Sequence, residues 1–105
     1  MVKMNNYAEP AGERGGNKWY RWRVFVDEPE PVLETIENVE YVLHPTFPRP
    51  NQERDDAPDK FALESSGWGE FTIVANVKYR DGHSERQTYW LDLGKGWPSG
   101  ETESE

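Results

Sequence analysis

The sequence predicts an all-β fold, an antiparallel β-sandwich, on the basis of three observations. Apolar and polar residues alternate in several segments, and this spacing places successive side chains on opposite faces of a strand. No apolar pattern of helical period persists for the length of a helix. Gly, Pro, Asp and Asn separate the alternating segments at short intervals, and short strands joined by frequent turns are typical of two packed antiparallel sheets.

The first predicted strand runs from Trp19 to Val26, and Trp22 lies on its more apolar face. A second strand is centred on Tyr41, and Phe61 with Leu63 marks a short third one. The inward-pointing residues predicted for these and the later strands include Trp22, Tyr41, Leu43, Ile73, Val77 and Leu91.

The longest alternating segment is Phe71 to Tyr79, and it is followed by Asp81-Gly82. Glycine adopts positive φ without a steric penalty, so this pair predicts a tight hairpin turn into a returning strand over residues 89–93. Two proline-rich connections, residues 29–31 and 48–50, are expected to exclude helix and to lie outside the centre of a sheet.

A chain of 105 residues has room for one domain, which we place at residues 18–93. Residues 1–17 combine polar residues with a Gly-rich run, and we expect a flexible N-terminal arm there because little apolar surface offsets the entropy of ordering. Residues 94–105 are rich in Gly and Glu and are expected to form a flexible acidic C-terminal tail, whose start docks back only if Trp97 packs on the domain.

Composition narrows the class of protein. Cysteine is absent and no apolar run reaches the length of a membrane span, so we expect a cytoplasmic protein, nuclear only if its source is eukaryotic. The formal net charge of −8 disfavours direct nucleic-acid binding and favours partners with basic residues. We expect neither a cofactor nor a membrane partner.

Two aromatic turns stand at the ends of predicted strands: Leu43-His44-Pro45-Thr46-Phe47-Pro48 and Gly67-Trp68-Gly69-Glu70-Phe71. Each sets a hydroxyl or a backbone amide beside aromatic rings, at a point where side chains are free to converge. Together with Trp22-Arg23-Val24-Phe25-Val26 and Leu91-Asp92-Leu93, they closely resemble the signature of the YEATS domain, a reader of acylated lysine. The compact, acidic chain is most similar to prokaryotic YEATS-like domains.

The resemblance implies an immunoglobulin-like sandwich with a slot for the acylated lysine. In the family, the first turn supplies a His that braces a Ser or Thr hydroxyl, followed by an aromatic ring. The second turn supplies a ring at its centre and another at its end, with backbone amides near its first Gly. Carried over by position, these ligand-binding roles fall on His44, Thr46, Phe47, Gly67, Trp68, Gly69 and Phe71.

Trp19 is the remaining candidate for the slot. Eukaryotic readers often carry an additional aromatic residue where this chain has Lys18, one position earlier. A shift of one residue along a strand turns a side chain to the opposite face, so Trp19 takes that role only if the strand begins with a bulge or a bend. Gly67 and Gly69 are expected to permit positive φ or a close approach of the backbone.

Each candidate also has a purely structural interpretation. Trp68 and Phe71 fit core packing, Phe47 fits a hydrophobic anchor for the loop that follows, and Thr46 with His44 fits local capping of a turn.

No catalytic site is expected, because Ser65-Ser66-Gly67 does not match a nucleophile turn and His83 stands alone. The acidic run at residues 53–59 lacks the spacing of a calcium loop, so no metal site is expected.

Two functions remain open at this stage. The first is a non-catalytic module that binds an acetylated or crotonylated lysine of a protein or peptide, with basic residues flanking the lysine. The second is a structural adaptor of a prokaryotic signalling or defence protein that keeps the fold without an acyl-lysine pocket, and fused or partner signalling domains fit either function.

Overall fold

A computed structural model describes residues 2–96, which form seven strands, one short α-helix and one turn of 3-10 helix. The elements in chain order are β1 Met4–Arg14, β2 Asn17–Val26, α1 Glu30–Leu33, β3 Ile36–Val42, β4 Asn51–Arg54, a 3-10 turn Ala57–Asp59, β5 Leu63–Gly67, β6 Thr72–Tyr79 and β7 Ser84–Trp90. No helix among these residues has both the length and the apolar character needed to cross a membrane.

The strands form two antiparallel sheets that pack face to face. The first sheet has the order β1-β2-β5, and the second has the order β4-β3-β6-β7. This arrangement confirms the predicted β-sandwich. It also makes β4 and β5 edge strands of their sheets.

The core lies between the sheets, and alternation along the strands explains its composition. Trp22, Tyr41, Ile73, Val77 and Leu91 have no exposed surface, and Leu43 is 6% exposed, so all six predicted inward residues are confirmed. The Tyr41 hydroxyl donates to the Phe61 carbonyl oxygen at 2.7 Å, which satisfies its polar group inside the core. Burial raises the pKa of Tyr41 well above its ordinary value.

The N-terminal segment corrects one prediction, because Met4–Arg14 is the strand β1 rather than a loose arm. Met4 and Ala8 alternate with more exposed neighbours and join the core. Between them, the fully buried Asn6 donates Nδ2–H to the Asp92 carbonyl at 2.9 Å, and its Oδ1 accepts from Tyr89 and from the Asp92 N–H. This polar position interrupts the apolar alternation, so the sequence pattern does not reveal the strand.

The helix α1 corrects a second expectation, because Pro31 does not exclude helix in its segment. It occupies the first turn, where an N–H would lack an intrahelical partner and a fixed φ suits the helix. The helix is a single turn whose buried residue is Leu33.

The Asp81-Gly82 turn is confirmed as the link between β6 and β7, with Gly82 at φ 100°. Backbone bonds from the Tyr79 N–H to His83 and from the Gly82 N–H to Tyr79 close the turn. Asp81 accepts from the backbone N–H and the ring of His83, and these contacts lower the pKa of its carboxyl group.

The predicted C-terminal tail falls partly outside the described residues, which end at Gly96. Within the described part, the Ala8 N–H donates to the Lys95 carbonyl at 2.7 Å, and Gly96 forms a parallel bridge with Ala8. Residues 95 and 96 thus lie against the free edge of β1, whereas the prediction for Trp97 and the residues beyond it lies outside the described chain.

Candidate functional site

The candidate site is a cavity of about 700 Å³ at one end of the sandwich, which we call the slot. The chain following β3, the end of β5 and the segment leading into β6 converge there. The slot is lined by all eight predicted site residues, Trp19, His44, Thr46, Phe47, Gly67, Trp68, Gly69 and Phe71, together with Pro48, Ser65, Ser66 and Glu70.

Aromatic rings form the inner part of the slot and join it to the core. The rings of Phe47 and Phe71 lie 5.3 Å apart at an interplanar angle of 44°. The buried Trp22 meets both in edge-on geometry, at 6.3 Å from Phe47 and 6.0 Å from Phe71. Because Trp22 is fixed in the core, it holds the two half-buried rings in place. Phe47 and Phe71 therefore pack against the core and also line the slot.

His44 and Thr46 form a polar pair at the rim. The Thr46 backbone N–H donates to His44 Nδ1 at 3.2 Å, and the Thr46 hydroxyl lies 2.9 Å from the same nitrogen. A backbone N–H can only donate, so Nδ1 accepts and the imidazole proton is on Nε2. The hydroxyl can then pair with Nδ1 only by donating, sharing the one lone pair of that nitrogen with the backbone N–H, and the lone pairs of Thr46 Oγ1 stay available to accept a hydrogen bond from a ligand.

The second turn presents Trp68 to solvent, with 59% of its surface exposed. This exposure excludes the interpretation of Trp68 as a residue packed in the core. The glycines on either side correct an expectation, because neither Gly67 nor Gly69 has a positive φ, and a Cβ added at either would meet no atom within 4 Å. The space that a side chain would occupy at either position is therefore open.

Trp19 lines the slot, and a β-bulge lies opposite it in the sheet. The pairing of β1 with β2 shifts register between Pro10 and Glu13, so β1 carries one more residue than β2 opposite Trp19. The irregularity lies on the neighbouring strand rather than on the strand of Trp19 itself. The Arg14 guanidinium lies 4.8 Å from the centre of the Trp19 ring, in cation–π geometry.

Glu70 and Trp90 are features of the site that the sequence did not single out. Glu70 accepts from the Trp90 indole at 3.3 Å and from the Leu93 backbone N–H at 2.9 Å, so it ties the second turn to the end of β7. Trp90 is 57% exposed and stands opposite Thr72 at the start of β6. The signal available in the sequence was Trp90 itself, a large aromatic residue on the polar face of the last strand.

The electrostatic character of the slot is mildly acidic. Glu70 is the one carboxylate among the described residues that line it, and His44 adds an imidazole. Residues 2–96 contain no group of His, Cys, Asp or Glu side chains arranged to hold a metal ion. The arrangement suits a flat, uncharged ligand: rings cover its faces, and a hydroxyl with nearby backbone amides meets its polar atoms.

Comparisons with known sequences agree on one family. The model of the prokaryotic YEATS domain matches residues 20–92. The AF-9 homolog of Eremothecium gossypii is 36% identical over 69 residues, covering 64% of this chain and 32% of that protein. The AF-9 homolog of Kluyveromyces lactis is 34% identical over 67 residues, covering 62% and 30% respectively. The chain thus spans about a third of the length of these curated relatives.

Solved structures show the same architecture. The crystal structure of the yeast AF-9 homolog Yaf9 superimposes with a TM-score of 0.72 at 26% identity, covering 86% of this chain and 64% of that one. The Yaf9 YEATS domain recognising an H3K122suc peptide gives a TM-score of 0.71 at 24% identity, with 90% and 78% covered. The Yaf9 YEATS domain bound to H3K27ac gives 0.68 at 21% identity, with 94% and 79% covered.

Proposed function

Because the chain belongs to the prokaryotic YEATS domain family, we propose that it is a non-catalytic binding module that takes an acylated lysine side chain into the slot. The observation that carries this proposal is the convergence of Trp68, Phe47 and Phe71 with the His44–Thr46 pair around one open cavity. The peptides carried by the Yaf9 domains, H3K122suc and H3K27ac, give the same ligand class for relatives of this fold.

The proposed ligand is matched group by group. The flat amide of the acyl-lysine stacks against the exposed Trp68 ring, while the acyl chain points toward Phe47 and Phe71. The amide N–H donates to Thr46 Oγ1, whose own proton is directed at His44 Nδ1. The amide oxygen accepts from the backbone around residues 67–69. Satisfying both amide groups is essential, because each unpaired buried polar group costs roughly 1–3 kcal/mol.

Selection against unmodified lysine follows from desolvation. Acylation removes the ammonium charge, and the slot's inner rings cannot replace the hydration of a cation that enters past them. We expect acetyl and crotonyl peptides to bind and the unmodified peptide to bind at least about tenfold more weakly, a difference of about 1.4 kcal/mol.

The partner is proposed to be a protein or peptide with basic residues near the acylated lysine. The net charge of −8 attracts such a peptide at long range, and Glu70 lies at the slot itself. In a prokaryotic protein the target need not be a histone, and fused or associated signalling domains would supply the response to binding.

Titration with fluorescent acetyl-lysine and crotonyl-lysine peptides tests the proposal, with the unmodified peptide as control. Trp68→Ala is expected to abolish detectable binding without changing the melting temperature, because this ring is exposed in the free protein. Tyr7→Ala is the control, since it removes a half-buried aromatic ring of β1 that does not line the slot.

The alternative function is an adaptor that docks another domain without using the slot. The exposed Trp90 at the end of β7 is the feature that fits such a contact. If millimolar acylated peptides shift no amide resonance in residues 44–48 or 67–71, the reader proposal is wrong and the adaptor takes its place.

A further inference from the structure

A second cavity, of about 260 Å³, opens directly beside the slot. It shares Phe47, Pro48 and Ser65 with the slot, so the two are adjoining parts of one surface. Its other walls come from β4 and β5, the edge strands of the two sheets on this side of the sandwich. We call this second cavity the seam, because it follows the open boundary between the sheets.

The seam carries positive charge on an otherwise acidic protein. Arg49 and Arg54 line it, the first exposed and the second half-buried. Arg54 donates to the backbone carbonyl of Glu53 at 2.8 Å, and neither arginine forms an ion pair with another residue in the described part of the chain. The one carboxylate that lines the seam, Glu64, lies 3.8 Å from the guanidinium of Arg23.

Two guanidinium groups with no ion pair among residues 2–96, on a chain of net charge −8, offer a place for a ligand that brings an anion. Arginine offers several fixed N–H donors that match a carboxylate, and a partly buried site strengthens such a bond compared with an exposed pair. Gln52 and Ser65 add uncharged polar side chains to the same walls. Apolar contact is supplied by Leu43, Leu63 and the face of Phe47 shared with the slot.

We propose that the seam binds an acidic residue, Asp or Glu, of the same peptide whose acylated lysine occupies the slot, with Arg49 and Arg54 holding its carboxylate. This inference rests on the proposed function and adds a specificity to it. The opposite side of the slot carries Glu70, which is tied to β7. The two sides of the slot therefore differ in charge. This difference orients the bound peptide, with its acidic residue toward β4 and its basic residues toward β7.

The strand order sets the distance between the two positions. The slot lies beyond the end of β3 and the start of β6, and β4 is the neighbour of β3. Adjacent strands lie about 4.8 Å apart, so β4 is roughly 7 Å from the midpoint between β3 and β6, and an extended peptide advances about 3.3 Å per residue. The acidic residue is therefore expected about two positions from the lysine.

Peptides that differ at one position test this inference. Acetyl-lysine peptides are prepared with Glu, Gln or Lys at each of the second and third positions on either side of the lysine, with Ala elsewhere. On one side only, the Glu peptide is expected to bind about three- to tenfold more tightly than its Gln counterpart. The preference is expected to shrink as salt rises from 50 to 500 mM, an interval in which screening shortens to roughly 4 Å.

Protein variants connect the preference to the seam. Arg49→Gln and Arg54→Gln, singly and together, are expected to remove the Glu preference while leaving the affinity for the Gln peptide unchanged. Arg86→Gln is the matched control, because it removes the same charge from the exposed face of β7, outside both cavities.

The outcomes separate this inference from the proposed function. Acylated peptides that bind without any Glu preference, or a preference that survives the double Arg variant, overturn the seam and leave the reader intact. If no acylated peptide binds at millimolar concentration, the reader proposal and the seam inference both fail.

Discussion

The Thr46 hydroxyl is the most specific polar group of the slot, and Thr46→Val isolates it. Valine nearly keeps the shape of threonine but has no hydroxyl. Thr46 is exposed in the free protein, and its backbone N–H continues to donate to His44 Nδ1 at 3.2 Å. The substitution therefore leaves the turn closed and removes one hydrogen-bond acceptor from the ligand.

The magnitude follows from the geometry of that bond. With Nδ1 fixed as an acceptor, Thr46 Oγ1 is free to accept the amide N–H of the ligand. Leaving that N–H unpaired costs roughly 1–3 kcal/mol, and the open slot admits some water, so we expect roughly 1–2 kcal/mol. This corresponds to a loss of affinity of about 5- to 30-fold.

Calorimetric titration with the acetyl-lysine peptide measures the loss, and Thr46→Ser serves as the control because it keeps the hydroxyl. Thermal melts of both variants are expected to match the original protein within about 2 °C, since exposed substitutions usually change stability little. Equal affinity for the Val and Ser variants would contradict the assignment of Thr46 Oγ1 as the ligand acceptor.

Three further predictions concern the fold. Trp22→Ala is expected to lower the free energy of unfolding by about 3–5 kcal/mol in urea titrations, because Trp22 is fully buried and supports the rings of the slot; an unchanged midpoint would contradict its place in the core. Asn6→Ala is expected to cost roughly 2–4 kcal/mol by the same measurement, since it leaves groups of Tyr89 and Asp92 without their partner, and stability equal to the original would mean that β1 contributes little. Burial, reinforced by a hydrogen bond to Glu85, raises the pKa of Tyr79 to about 12 from its ordinary value near 10. The raised pKa of Tyr79 contributes to stability in full below about pH 10, and this contribution is lost as pH rises toward 12. The urea midpoint is therefore expected to fall between about pH 10 and 12. A midpoint that stays constant over this interval would be inconsistent with the raised pKa.

The strands that the sequence predicts well are those with strict alternation. In β6, Ile73, Ala75 and Val77 are fully buried and their neighbours are more exposed, so a period of two identifies both the strand and its inner face. The glycine of the hairpin after it, Gly82, has the positive φ that the turn requires. Local chemistry determines these elements, and local sequence is sufficient to find them.

The N-terminal strand was missed because its stability comes from distant residues. The inner face of β1 includes Asn6, a polar residue that fits the core only because Tyr89 and Asp92, more than eighty positions later, complete its hydrogen bonds. A single sequence contains no sign of that pairing. The helix α1 was missed because it has only four residues, too few for an apolar pattern of period 3.6 to appear. Packing of the buried Leu33 stabilises this single turn.

The candidate site divides in the same way between local and distant determinants. The slot is built from two short turns, each readable as a unit, which is why all eight predicted residues line one cavity. The seam depends on Arg49 and Arg54 meeting Leu63 and Ser65 across the gap between two sheets, a juxtaposition that exists only after the sandwich closes. Net charge alone therefore predicts basic residues throughout the target peptide, whereas the folded surface distinguishes its two sides. If the seam inference holds, the slot recognises the modification and the edge strands recognise the sequence around it, so variants of Arg49 and Arg54 should broaden the range of peptides bound without changing the preference for acylated over unmodified lysine.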